Sequence, residues 1–278
     1  MGCLVDEIRA LSLKVRRNII TAGFKGGASH FGGSLSAADI LCVIYGALAD
    51  VKKISANEPD RDRVIMSKGH CSLALYAVLQ AVGLITEDDL MSFDRDGGDF
   101  PTHCVRNPEK HIELTSGSLG LGLSFAAGVD LALKERGIDK EKIYVICGDG
   151  ELNEGSFWEG ANFAAFNHLD NLILIIDKND LQIDGYCSKI CSVTDYEEKL
   201  KSFGFATVQC DGHDHESLLH AFESGEKGKP LAVVANTVKG KGVSFMENNH
   251  LWHHNKLTQE QYEAAMSELS CGEKVNAD

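Results

Sequence analysis

Asp149 stands between two glycines, and Asn179 follows about thirty residues later. Each lies just past a continuous apolar run, at 143–147 and 172–177. Such runs read as buried parallel strands, and an open parallel sheet binds its ligands beyond the carboxyl ends of its strands. The two side chains can therefore converge. A carboxylate and an amide oxygen are hard donors suited to Mg²⁺, whose remaining octahedral positions commonly go to diphosphate oxygens and water. Gly148 and Gly150 let a bulky anion approach the backbone, and a helix over 157–167 would direct its positive end toward that anion. A single Gly-Asp-Gly is usually a plain strand-ending turn; two consecutive strand ends carrying oxygen donors are more specific.

The charge balance makes such local devices necessary. With 27 basic against 41 acidic side chains, the formal charge is −14, which repels nucleic acid and leaves no basic stripe for a phosphate backbone. Any bound phosphate must be held by local donors or a bridging cation. No apolar run approaches the roughly 20 residues of a membrane span, so no membrane role is expected. The start, MGCLVDEIRA, has neither the apolar region nor the cleavage site of a secretory signal, which points to the cytoplasm. Asp6 stands where an N-terminal lipidation motif needs Ser or Thr. Nine cysteines without CxxC spacing read as free thiols, and the nearest pair, Cys187 and Cys191, lacks two further ligands for zinc.

The elements that must position these residues follow from periodicity. A helix over 5–22 leads into a glycine-rich loop over 23–33, and a second helix over 37–48 is expected with Ser36 and Asp39 as its capping pair. A strand over 63–66 ends at Ser-Lys-Gly-His, a helix follows over 72–82, and the stretch 94–118 reads as a long functional loop. A helix over 120–134 precedes the two apolar strands. Two more strands, at 206–209 and 231–236, flank a helix over 216–223. The alternation predicts an α/β fold: a doubly wound, mostly parallel sheet with helices on both faces. The main domain is expected over 1–255, and 256–278 as a terminal helix with a polar tail that frays after Leu269.

The segments GDGELNEGSFWEG (148–160) and IIDKNDLQIDG (175–185) together resemble the thiamine-diphosphate signature, in the form found in transketolases. The resemblance extends through ASHFGGSLSAADI (28–40), DRVIMSKGHCSLALY (62–76), LTSGSLGLGLSFAAG (114–128) and NTVKGKGVSFMENN (236–249). It implies thiamine diphosphate as cofactor, with Mg²⁺ (Ca²⁺ or Mn²⁺ as substitute) held by Asp149, Asn179 and the main-chain carbonyl of Leu181. It implies that His70, Gly148, Gly150 and Glu151 lie at the diphosphate. Gly117, Ser118 and Leu119 would border the aminopyrimidine, and Ile183 would pack beneath the cofactor's centre. His30, His70 and His103 match positions facing the thiazolium and the sugars, where imidazoles can donate to hydroxyls and exchange protons. His253 is the nearest counterpart of a further sugar-binding histidine, although the family shows His-Gly there and His254 follows in this sequence. Glu154 and Glu159 match acids near the family's subunit contact, or serve only the helix dipole. Lys239 and Lys241 could touch a phosphate; solvated loop charges are the simpler reading. His213 and His215 read as structural.

The glutamate that activates the cofactor in this family belongs to a pyrimidine-binding domain absent from the sequence. The resemblance therefore implies a split transketolase that transfers a two-carbon ketol unit from a ketose to an aldose phosphate. Its partner would be a C-terminal transketolase subunit, in an α2β2 heterotetramer, acting in the pentose phosphate pathway or on a modified ketose. Alternatives are the α chain of a 2-oxoacid dehydrogenase, a deoxyxylulose-phosphate synthase-like enzyme, or a non-catalytic cofactor-binding subunit.

Overall fold

The computed structural model describes residues 2–191 and 195–274, with side chains through residue 270. Its apolar runs form strands Arg63–Met66 (β1), Ile143–Gly148 (β2) and Leu172–Lys178 (β3). A small hairpin, Leu181–Gln182 (β4) with Gly185–Tyr186 (β5), precedes Ala206–Asp211 (β6) and Leu231–Asn236 (β7). Five of these strands make one sheet in the order β1-β2-β3-β7-β6, every pairing parallel. The chain leaves β3 for the far edge at β6, then returns to lay β7 between them. The register aligns Met66 with Ile146, Gly148 with Asp177 and Lys178 with Asn236, so four neighbouring strands end on one edge.

Helices cover both faces. They are Gly2–Gly26 (α1), Phe31–Val43 (α2), Val51–Ser55 (α3), Ser72–Ala81 (α4), Glu87–Met91 (α5), Gly122–Glu135 (α6), Gly155–Phe166 (α7), Cys187–Ile190 (α8), Tyr196–Ser202 (α9), His215–Phe222 (α10) and Gln259–Lys274 (α11). Side chains alternate across a strand, and the sheet uses both directions. Along β2, Tyr144 and Ile146 join the core under α1, α2, α4 and α10, while Ile143, Val145 and Cys147 join the one under α6, α7 and α9. Two-sided burial is why these strands read as unbroken apolar runs. Helix α11 returns to α1: the Tyr262 ring stacks on Phe24 at 4.5 Å, and Ala265 and Leu269 are buried in the first core.

Three expectations change. Gly23 does not end the first helix, which continues to Gly26. A Cβ on Gly23 would stand 2.4 Å from the Phe31 ring, so this glycine serves close packing instead of a turn. The second helix starts at Phe31, not after Ser36, because the segment is buried along its whole length and packs against α1 and α4. Ser36 and Asp39 therefore sit inside it and do not cap it. With the π-helical turn that follows, Phe31–Leu48 is long and apolar enough to cross a membrane by length and composition, which corrects the expectation that no run approaches that size. It is 83% buried within this chain, as a central core helix is. The eight cysteines whose side chains are described are unpaired. Of the polar tail, 270–274 continue α11 and 275–278 lie outside the described residues.

Candidate active site

The floor of the site is a buried ion pair at the carboxyl edge of the sheet. Lys68, just past β1, meets the Asp177 carboxylate near the end of β3, and both side chains are almost wholly enclosed. Burial opposes the charge on Asp177, but the Lys68 ammonium outweighs it and, with the Ser36 and Thr237 hydroxyls, holds its pKa below the usual range. Ser36 donates at 2.6 Å, which explains a hydroxyl in mid-helix.

Asp149 and Asn179 sit side by side above this floor, 2% and 7% exposed. The Asp149 carboxylate accepts backbone N–H groups from Gly150 (2.8 Å) and Asp180 (2.5 Å), and no Lys, Arg or His pairs with it among the described residues. Burial, then the neighbouring Asp177, pushes its pKa up to about 6. The Asn179 Oδ1 lies 3.2 Å from the Leu181 N–H, and the Leu181 carbonyl accepts from Lys239 Nζ at 3.2 Å. The carboxylate on the turn after β2 is thus tied, through the Asp180 N–H, to the turn after β3 that carries the amide oxygen and the carbonyl. Among the described residues no three His, Cys, Asp or Glu side chains cluster as metal ligands. The set suits a hard cation completed by ligand oxygens, and does not suit a soft metal.

Four histidines gather beside it. The His30 ring centroid lies 5.4 Å from those of His70, His103 and His253, and His70 stacks on His253 at 5.1 Å. Lys239 joins the two halves of the site, since its Nζ lies 3.1 Å from His253 Nδ1 while holding the Leu181 carbonyl. Burial, then the neighbouring imidazoles, takes His30 down to about 3; burial and Lys239 do the same to His253. His70 is held well below 6.5 by burial and Lys68. At neutral pH each offers one N–H and one lone pair. Among the buried polar atoms without a hydrogen-bond partner in the described residues are His30 Nδ1, Ser116 Oγ and Gln182 Nε2.

Comparison with known proteins decides what this cleft belongs to. The family model for the thiamine diphosphate binding domain of transketolase matches residues 3–274. The chain belongs to the transketolase family. It is 40% identical over 247 residues to the 6-deoxy-6-sulfo-D-fructose transketolase subunit SqwG of Clostridium sp. (strain MSTE9), covering 88% of this chain and 90% of that one. It is 39% identical over 266 residues to one subunit of the apulose-4-phosphate transketolase of Actinobacillus succinogenes, covering 95% and 96%. Among solved structures, transketolase from Leishmania mexicana superposes with a TM-score of 0.86 at 29% identity, over 95% of this chain but 41% of that one. Transketolase from Campylobacter jejuni gives 0.83 at 29%, over 96% and 43%. The chain thus spans about two fifths of those solved transketolases and nearly all of the two subunits.

Within this transketolase fold the remaining residues find their places. Gly117 (φ +133°) and Ser118 are exposed on the loop before α6, and Leu119 is half-buried beside them. A Cβ on Gly69 would lie 2.7 Å from the Gly117 nitrogen, so only glycine lets the loop of His70 touch this one. Ile183, 64% exposed, lies at the tip of the β4–β5 hairpin. Glu154 and Glu159 are exposed.

Glu151, expected at the diphosphate, makes its hydrogen bonds to loops of this chain. Its carboxylate is buried and accepts from Ser67 Oγ (2.5 Å), Gly120 N (2.9 Å) and Gly148 N (3.1 Å), binding together the loops that carry His70, Gly117 and Asp149. Lys239 is not a solvated loop charge; it is 2% exposed, whereas Lys241 is half-buried. His213 and His215 serve structure, as expected, by meeting Asp39, which also receives both Arg16 nitrogens at 2.9 and 2.6 Å. Sequence reading overlooked Lys68 and Asp177. Their signal was a charge at the carboxyl end of each apolar run, Lys68 two residues past β1 and Asp177 the last residue but one of β3, which a sheet edge buries only when it is paired.

Proposed function

We propose that this chain is the N-terminal subunit of a two-chain transketolase, moving a two-carbon ketol unit from an anionic ketose to an aldose. The observation that carries the reading is the juxtaposition of Asp149, Asn179 and the Leu181 carbonyl with His30, His70, His103 and His253, joined through Lys239. Thiamine diphosphate, when bound, supplies the nucleophilic carbon that takes up the ketol fragment. Asp149, Asn179 and Leu181 would hold Mg²⁺, and the buried Asp149 carboxylate, with no cationic side-chain partner, supports that. Gly148, Gly150 and Lys239 would receive the diphosphate, and the loop of Gly117, Ser118 and Leu119 the pyrimidine.

Neutral imidazoles suit the sugar end of such a site. His30 and His103 can each donate to one hydroxyl oxygen and accept a proton from another, and His70 and His253 wall the cleft. The partner reading rests on relatives that are themselves named as subunits and are matched over nearly their whole length. Apolar side chains left open on packed helices support it: Leu121 before α6 and Phe163 and Phe166 on α7, the last 80% exposed. We infer that the partner is a C-terminal transketolase subunit, that the assembly is α2β2, and that the compartment is the cytoplasm, in line with the free thiols. The two relatives are named for a sulfonated and a phosphorylated ketose, which supports a modified ketose as donor over the pentose phosphates alone.

The test is ketol transfer to ribose 5-phosphate from xylulose 5-phosphate, 6-deoxy-6-sulfo-D-fructose and apulose 4-phosphate. It compares this chain alone with the chain co-expressed beside a C-terminal partner. Activity confined to the pair is expected. Activity of the chain alone would refute the two-chain reading, and cofactor binding without transfer from any ketose would refute the reaction.

A further inference from the structure

His253 and His254 follow each other on one short segment, yet they turn to different parts of the site. His253 packs inward on His70 and Lys239. His254 is exposed, with its ring centroid 4.5 Å from that of His30, and after partial burial it is the second cause that lowers the pKa of His103. The segment is anchored on both sides of the pair. Trp252 is buried against Phe245 and Phe31, with ring centroids 5.3 and 6.2 Å away. Asn255 exchanges two backbone hydrogen bonds with Ser29, at 2.9 and 3.1 Å, beside His30 itself.

An exposed imidazole on a backbone pinned this way is presented in a fixed place. The contact found for its ring is with His30, whose buried Nδ1 has no partner among the described residues. Unspent hydrogen-bonding capacity at His30, beside an exposed imidazole at the open end of the cluster, points to a ligand that both donates and accepts. A hydroxyl does both.

We propose that His254 is a specificity-determining residue that hydrogen-bonds a hydroxyl of the sugar at the outer end of the cleft, next to the hydroxyl held by His30. This rests on the transketolase reading above. His103 and His254 both stand against the His30 ring, at 5.4 and 4.5 Å between centroids, so an imidazole at this point adds bulk to the sugar end of the cleft. A polyhydroxylated ketose or aldose whose chain reaches this point gains a contact that a shorter one lacks.

The experiment uses the assembled two-chain enzyme carrying His254→Gly or His254→Asn. It measures thiamine diphosphate affinity by fluorescence quenching, and KM and kcat with fructose 6-phosphate, xylulose 5-phosphate and ribose 5-phosphate. One lost hydrogen bond corresponds to a KM rise of about tenfold for the sugar that reaches His254, with the larger part of the loss in KM rather than kcat. His254→Asn, which keeps a donor and an acceptor, should recover part of that loss, and cofactor affinity should stay within about twofold. Unchanged KM values for every sugar in both variants would overturn the proposal. So would a loss of cofactor affinity in step with KM, which would make His254 a support of the cofactor side. A wild-type pair that binds no thiamine diphosphate would overturn the transketolase reading and this proposal together.

Discussion

Asp149 and His30 show how single residues are poised for ligands at some cost to the fold. Asp149→Ala should abolish Mg²⁺-dependent binding of thiamine diphosphate yet leave the chain folded, because no cationic side chain loses its partner. Circular dichroism beside a cofactor titration checks both halves, and retained affinity at ordinary Mg²⁺ would contradict the ligand assignment. His30 is titrated differently. Its pKa is 6.5 in the unfolded chain and about 3 in the fold, so between those values the unfolded state takes up a proton that the folded state refuses. Stability is then full above pH 6.5 and falls as the pH drops toward 3, with His30 alone adding about 1.4 kcal/mol per pH unit to that fall. Urea unfolding at pH 7 and pH 5 should show a smaller difference for His30→Asn than for the parent.

Elements are held to one another by two clasps, one buried and one half-buried. Glu151 gathers the loops after β1 and β2 and the loop before α6, each of which carries candidate ligand residues. Glu151→Ala strands one hydroxyl and two backbone N–H donors, and should cost about 2–5 kcal/mol together with cofactor affinity. A thermal melt and the same quenching titration read the two effects, and loss of stability with cofactor affinity intact would reduce Glu151 to a packing role. The second clasp is His213. Its Nε2 accepts the Val238 N–H at 2.7 Å, which fixes Nδ1 as the donor to Asp39, also at 2.7 Å. Helix α2 is thereby tied to the strand end that delivers Lys239. His213→Ala should speed amide exchange at Val238 and weaken cofactor binding, and unchanged exchange would show that the loop is held by other contacts.

The whole molecule presents one edge of a parallel sheet as a half-site. Four strand ends contribute Lys68, Asp149, Asn179 and Thr237, and the crossover that inserts β7 beside β3 brings Lys239 over the Leu181 carbonyl. The sheet and both cores are built from these residues, so this chain expressed by itself should unfold in one cooperative transition while remaining inactive. Calorimetry of the isolated chain checks the first point and ketol transfer the second. A chain that folds only with its partner would show that the exposed Leu121, Phe163 and Phe166 belong to an obligate core.

The five strands of the main sheet were legible in the sequence, the inner ones because two-sided burial demands unbroken apolar runs, whereas the β4–β5 hairpin was not; Asp149 and Asn179 stood out as candidates because ligand donors collect where such runs end. The histidines of the cleft were legible only through the resemblance, since nothing in their spacing brings positions 30, 70, 103 and 253 together. Only tertiary structure could show that Gly23 packs a ring, that Ser36 reaches Asp177, that Glu151 clasps three loops and that Lys239 is buried. It also turns His253 to His70 and Lys239 and His254 toward the outer side of His30, which their adjacent places in the sequence cannot show. Sequence records residue type and local period, whereas the partner that a buried charge or an imidazole meets comes from 14 to more than 100 residues away and is chosen by how the sheet orders its strands.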